Sequence, residues 1–278
     1  YVEELTEAAR LAPESTGILA RLGEAHLRRQ DYAKARDAYA RAVRLSPDDA
    51  VLWIWLGVAH QQLNEYEKAA EAFTKAIDLA PDNPLGYQAL IEAETRANDY
   101  VAAVELYQKL VQLRPDSAEL RMHLGGSLAR IHDVEGARRA LEEAVRLDPK
   151  LYRARFALGF VLLDLDANER AAEEFTIYLQ DNPDDPDAME GLAGAYARLG
   201  RYDDALSLID RLIEDDLAEA VHYLDRMYLL LEAGRAGEAA TAVPPNEAPL
   251  FGTLLRALAR RAAGEPYQTV VESLDEAD

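Results

Sequence analysis

The proline in "LAPDNPLGY" is one of a series set at a constant interval: Pro13, Pro47, Pro81, Pro115, Pro149 and Pro183 follow one another every 34 residues without a slip. A fixed period of about 20 to 50 residues marks a repeat array, in which no unit can bury its apolar face alone and a continuous core forms as units stack. This period constrains the 278-residue chain more than its length does. A solenoid has no single core to outgrow.

Aligned on the prolines, full repeats run 16–49, 50–83, 84–117, 118–151, 152–185 and 186–219, with a degenerate one after 220. In the second, "DAVLWIWLGVAHQQLNEYEKAAEAFTKAIDLAPD", apolar residues recur at three- and four-residue intervals, as helices require and strands do not. The spacing predicts two helices per repeat, here about Val51–Leu63 and Tyr66–Leu79, with a turn at Asn64 and Glu65. Pro81 stops the second helix by removing a backbone donor, and Asp82 or Asn83 can cap the next one.

Small and large residues alternate in register. Gly23, Gly57, Gly125 and Gly159 hold the eighth place of their repeats, and Ala35, Ala69, Ala103, Ala137, Ala171 and Ala205 the twentieth. A glycine within a helix costs roughly 1 kcal/mol against alanine, so four in register imply close helix approach. Bulk stands at other fixed places: leucine at the seventh, Tyr39, Phe73, Tyr107 and Phe175 at the twenty-fourth, and Tyr32, Tyr66, Tyr100 and Tyr202 at the seventeenth.

With Trp53, Leu56-Gly57, Ala69, Phe73, Ala76 and Pro81 in this order, and His60 where tyrosine is usual, the array resembles the tetratricopeptide repeat. The resemblance implies an all-α, right-handed superhelical solenoid of 34-residue helix-turn-helix repeats. Residues 1–15 are then the second helix of an incomplete leading repeat, 16–219 six repeats, 220–248 a degenerate seventh, and 249–278 C-terminal capping helices. Departures mark weakening regularity: Ile91 and Ala193 replace the glycine, and Leu217 stands where the next proline belongs. Pro244-Pro245 should cut the seventh repeat short. Because the chain enters the pattern midway through a repeat, we expect a piece of a longer protein, with the exposed face of the first helix open to further repeats or to self-association.

Charge excludes some partners. With 51 acidic and 30 basic side chains the net charge is −21, which argues against nucleic acid and anionic membranes. Residues 1–139 carry 17 basic and 22 acidic side chains, net −5, whereas 140–278 carry 13 and 29, net −16, so a basic partner would meet the C-terminal half. No apolar run approaches the roughly 18 residues of a membrane span, and direct membrane insertion is not expected. Cysteine is absent, which removes disulfides and thiolate metal sites. A soluble protein is expected, the cytoplasm being favoured over the periplasm.

No constellation points to catalysis, a cofactor or a metal. "DNPDDPD" at 181–187 gathers Asp181, Asp184, Asp185 and Asp187, but the glycine and distal glutamate of a calcium loop are missing, and Asp185 before Pro186 reads as a helix cap. "DLDANER" from Asp164 fails in the same way, with Glu169 and Phe175 at those positions. His26 and His60 share the eleventh place of neighbouring repeats, as a metal pair or, in the simpler reading, as replacements for an interhelical tyrosine. Phosphate loops, GxGxxG and nucleophile elbows are missing.

Function is therefore sought on the inner groove, which the resemblance assigns to the second, fifth, sixth, ninth, twelfth and thirteenth places of each first helix. Those places nominate Ile54, Trp55, Val58, Gln62, Gln88, Arg96, Met122, Arg130, Phe156, Phe160, Arg198 and Tyr228 as partner-binding residues. Trp55, Met122, Phe156 and Phe160 are apolar where solvent is expected, and Arg96, Arg130 and Arg198 offer forks for carboxylates or carbonyls. The chaperone-tail subtype, which grips a carboxylate with lysine and asparagine, is not matched: Ala20, Glu24, Trp55, Gln88 and Glu92 occupy those places. The expected function is a non-catalytic scaffold for a protein or peptide partner, basic or amphipathic and helical. The alternative is a regulatory or substrate-recruiting arm of a larger enzyme or membrane-associated assembly complex.

Overall fold

The computed structural model describes residues 1–214 and 220–239, and among these the chain is helical without strands. It divides into two compact units, Tyr1–Leu147 and Asp148–Asp278. The first holds α1 (Val2–Leu11), α2 (Thr16–Arg28), α3 (Tyr32–Leu45), α4 (Ala50–Gln62), α5 (Tyr66–Leu79), α6 (Pro84–Arg96), α7 (Tyr100–Leu113), α8 (Ala118–Arg130) and α9 (Val134–Leu147). The second holds α10 (Tyr152–Asp164), α11 (Asn168–Asp181), α12 (Pro186–Arg198), α13 (Tyr202–Glu214), α14 (Ala220–Glu232) and the short α15 (Ala236–Ala239). Within each unit every helix packs on the next, and first helices also touch, as α4 with α6 and α10 with α12. This is the all-helical solenoid packing the period predicts. The second-repeat helices fall within one residue of the expected bounds. Leu217, Pro244-Pro245 and the closing helices expected after 249 lie outside the described residues.

The repeat punctuation has a specific chemistry. Four first helices, α4, α6, α8 and α12, are capped by side chains that accept from exposed N–H groups: Asp49 from Val51 at 2.9 Å, Asn83 from Leu85 at 3.0 Å, Ser117 from Leu120 at 3.3 Å and Asp185 from Ala188 at 3.1 Å. A second tie was not foreseen. The fourth-place side chain reaches back to the carbonyl of the repeat-ending proline, Trp53 Nε1 to Pro47 at 2.8 Å, Arg155 Nε to Pro149 at 3.1 Å, and Arg121 to Pro115. The proline that ends one repeat thus anchors the next.

Every first helix ends on a left-handed residue at the fifteenth place: Gln30, Asn64, Asn98, His132, Asp166, Gly200 and Gly234, with φ between 55° and 74°. The following N–H then reaches the carbonyl five residues back, as Asp31 to His26 at 2.9 Å and Asp133 to Leu128 at 3.0 Å. That closure turns the chain into the second helix. Only two of the seven positions carry the glycine that adopts this conformation without strain. Gln30→Gly and His132→Gly, at exposed side chains, should each raise stability by about 0.5–1 kcal/mol. Urea unfolding of the single variants checks this, and a loss of stability would mean that those side chains hold the turn.

The core is a ladder of small-to-large contacts between paired helices. A Cβ added to Gly23 would lie 2.6 Å from the Tyr39 ring, one on Gly125 2.6 Å from Leu141, and one on Gly159 2.7 Å from Phe175. Rings at the twenty-fourth place therefore occupy the space a side chain at the eighth would need. Tyr39, Phe73 and Phe175 are buried, and the twentieth-place alanines from Ala35 to Ala205 are fully so. Burial pushes the Tyr39 hydroxyl well above the usual phenol range.

Candidate functional site

The first helices of each unit present one face that their own second helices do not cover. On it the nominated residues divide by chemistry. Trp55 is 41% exposed and Phe160 38%, whereas Ile54 and Met122 are only 8% exposed. Ile54 packs with Ala69, Phe73 and Leu90. The groove assignment of Ile54 and Met122 is therefore corrected. Both sit at the fifth place, which borders the interhelical seam, so an apolar side chain there turns inward; Gln88 and Glu190 at the same place stay exposed.

Trp55 and Phe160 each rest on a buried ring. Trp55 stacks on Tyr39 of the preceding repeat with ring centres 6.5 Å apart and an interplanar angle of 16°. Phe160 meets Phe175 edge-on at 4.9 Å and Phe156 at 5.0 Å. Phe156 is half-buried between Phe160, Phe175 and Tyr178, a structural position rather than the free anchor expected of it. The Tyr178 hydroxyl donates to Asp185 at 2.7 Å, and burial, reinforced by that carboxylate, raises it to about 12. Trp53 is half-buried between two core clusters, and its indole N–H donates to the Pro47 carbonyl.

The three arginines do not act alike. Arg96 pairs with Glu92 one turn back at 2.8 Å, an exposed pair of little net strength. Arg130 lies over the Tyr100 ring, 5.5 Å from its centre. Arg198 donates to the Leu163 carbonyl at 2.5 Å and stands 3.6 Å from Asp166, so it ties α12 to the end of α10. An open fork is corrected there to a structural brace. Gln62 and Gln88 are exposed, Val58 is half-buried, and Tyr228 is 56% exposed.

Two hollows open where the packing ladder is broken. In the N-terminal unit Ile91 stands where other repeats carry glycine, and the Tyr107 ring is half-buried against the cluster of Tyr87, Ile91 and Leu110 and stacks on His123 with ring centres 5.9 Å apart. A hollow of about 520 Å³ lies there, bordered by Gln88, Glu92, Arg96, Tyr107 and His123. In the C-terminal unit Ile209 replaces the ring beside Ala193, and a hollow of about 370 Å³ lies among Glu190, Gly194, Arg198, Asp225 and Tyr228. Tyr107 and Asp225 were missed by sequence reasoning. The signals were present, in Ile91 at the glycine place and in Asp225 at the sixth place of the seventh repeat.

The remaining chemical candidates have protein partners. His26 contacts Asp31 at 3.3 Å and His60 contacts Glu65, each histidine meeting the residue that opens its own second helix. His60 holds the Glu65 carboxyl below the usual range. In the 181–187 turn Asp185 caps α12, Asp184 binds Arg211, and Asp181 accepts from Tyr152. Among the described residues no group of three or more His, Asp or Glu is placed to hold a metal ion, and no helix is long and apolar enough to cross a membrane. In α1, Ala9 packs on α2 while Tyr1 and Leu11 remain 74% and 70% exposed.

Family models of the tetratricopeptide repeat match residues 2–50, 20–84, 56–118, 94–154 and 156–220. The chain belongs to the tetratricopeptide repeat family. Among solved structures, this tetratricopeptide protein resembles YrrB, described as having an unusual peptide-binding site, with a TM-score of 0.61 and 21% identity over 69% of this chain and 98% of that one. It also resembles a tetratricopeptide repeat protein from Parabacteroides merdae (TM-score 0.59, 17% identity, 95% and 98% of the two chains). MamA from Desulfovibrio magneticus is a third (TM-score 0.54, 23% identity, 61% and 97%). At these identities the likeness concerns the fold. No curated protein matches the chain in sequence.

The geometry separates paired residues that sequence treats alike. Phe156→Ala, which removes a ring packed against three others, should lower stability by about 2–4 kcal/mol, and Phe160→Ala by about 1 kcal/mol. Trp53→Ala should cost about 2–3 kcal/mol, more than Trp55→Ala at about 1 kcal/mol or less. Denaturant midpoints of the four variants check the ordering, and equal losses within either pair would contradict the placement.

Proposed function

We propose that this tetratricopeptide protein is a non-catalytic scaffold that receives a helical or extended segment of a protein partner along the face of its first helices. The observation that carries this reading is the pair Trp55 and Phe160. Both present a large apolar ring to solvent while lying against a buried ring, Tyr39 or Phe175, so each is held in place before any partner arrives. Preorganised aromatic anchors are what hot spots require, because little side-chain freedom is lost on binding. Gln62, Gln88, Arg96 and Arg130 supply exposed polar groups on the first helices of the N-terminal unit. The description of YrrB as having an unusual peptide-binding site supports a peptide or protein partner by analogy of fold.

The partner is expected to be basic or amphipathic, since residues 140–278 carry a net −16. Charge of one sign accelerates encounter and loses that effect as salt screens it. Affinity capture with this chain as bait, followed by titration of the captured partner, tests the proposal. Trp55→Ala and Phe160→Ala should each weaken binding by about 2 kcal/mol, and added salt should slow association while leaving dissociation nearly unchanged. Normal binding by both variants would refute the groove reading, and an association rate indifferent to salt would refute the steering.

A further inference from the structure

The hollow in the C-terminal unit differs from the rest of the first-helix face. Its floor is low because Ile209 stands where other repeats carry a ring, and its wall is low because Gly194 and Ala197 replace bulk on α12. A Cβ on Gly194 would meet nothing within 4 Å, so this glycine leaves open space rather than serving a close helix contact. Around the space stand two carboxylates and one phenol ring: Glu190 from α12, and Asp225 and Tyr228 from α14.

The neighbouring arginines are already engaged with other groups. Arg198, on the rim, is held by the Leu163 carbonyl and Asp166; Arg226 binds Asp210; and His222, fully enclosed behind the hollow, hydrogen-bonds to Glu190. Among the described residues no arginine or lysine forms an ion pair with Asp225. The surrounding protein raises the Asp225 carboxyl; His222 offsets this in part, and Glu190 adds to it. An acidic guest would be repelled here, and an apolar one would strip water from Asp225 without replacing its hydrogen bonds. A guanidinium or ammonium would pair with the carboxylates and lie against the face of Tyr228.

We propose that this hollow receives one cationic side chain, arginine or lysine, from the protein partner, its charged end set between Glu190, Asp225 and the Tyr228 ring. The assignment rests on the groove reading and adds to it the chemistry of one anchor: apolar residues for Trp55 and Phe160, and a cation for the seventh repeat. Electrostatic steering by the acidic half would bring such a residue to this end first.

The test uses the whole chain, labelled with ¹⁵N, and the blocked peptide acetyl-Gly-Ala-Arg-Ala-Gly-amide. Comparison peptides carry lysine, neutral citrulline or glutamate at the centre. Addition of the arginine or lysine peptide should shift the backbone amides of Gly194 and Tyr228. The citrulline peptide should bind at least about fivefold more weakly, and the glutamate peptide should leave both amides unmoved. Asp225→Asn, which preserves shape on an open-sided residue, should weaken the arginine peptide about fivefold and leave the citrulline peptide unchanged. The proposal is overturned if no cationic peptide shifts these amides, if citrulline binds as well as arginine, or if Asp225→Asn has no effect. A natural partner gripped through Trp55 but indifferent to Asp225→Asn would overturn the cation site and leave the groove standing. An arginine peptide bound through Asp225, with a partner indifferent to Trp55→Ala and Phe160→Ala, would uphold the cation site and overturn the extended groove.

Discussion

A ring pressed against a glycine is the contact on which the rest of this structure depends. In the first, second and fifth repeats the twenty-fourth-place ring lies where a side chain at the eighth place would be, and the two helices of the repeat close on it. Glycine within a helix costs roughly 1 kcal/mol against alanine, but any larger residue would bring atoms well inside van der Waals distance of a ring that has nowhere to move. The same ring faces forward. Phe175 fills space against Gly191 of the following repeat, and Tyr39 supports Trp55. One contact therefore sets both the pairing of helices within a repeat and the support beneath the exposed face.

Where that contact is interrupted, the face changes character. One hollow lies beside Ile91 and the Tyr107 ring stacked on His123, and the other beside Ala193 and Ile209. Where it is intact, exposed aromatic rings rest on buried ones, as at Trp55 and Phe160. A tetratricopeptide array can thus vary the character of its first-helix face through one or two packing positions, leaving helix lengths and caps unchanged. Charge follows an independent rule, concentrated in residues 140–278, and acts on encounter more than on shape.

The fold was legible in the sequence because the proline period, the caps and the glycine–aromatic register all report on local backbone and nearest-neighbour packing. Asn83 and Asp185 cap helices as their positions suggest. The face was less legible, since a repeat place names an angle around a helix and not the direction a side chain takes. Ile54 and Met122 share the fifth place with Gln88, yet they fold into the seam while the glutamine stays in solvent. Arg198 reads as free until its bond to a carbonyl 35 residues away is seen. Only three dimensions reveal that partner. The left-handed fifteenth place was likewise hidden at Gln30, His132 and Asp166, because those residue types do not advertise positive φ as glycine does.

The central claim is that the eighth-place side chain decides where the twenty-fourth-place ring goes, and hence where the first-helix face is solid or hollow. Its most direct measurement is a crystal structure of the Ile91→Gly variant. The account predicts that the Tyr107 ring swings in between α6 and α7, leaves His123, and closes the hollow they border. A Tyr107 ring that remains stacked on His123, with the hollow intact, would contradict it.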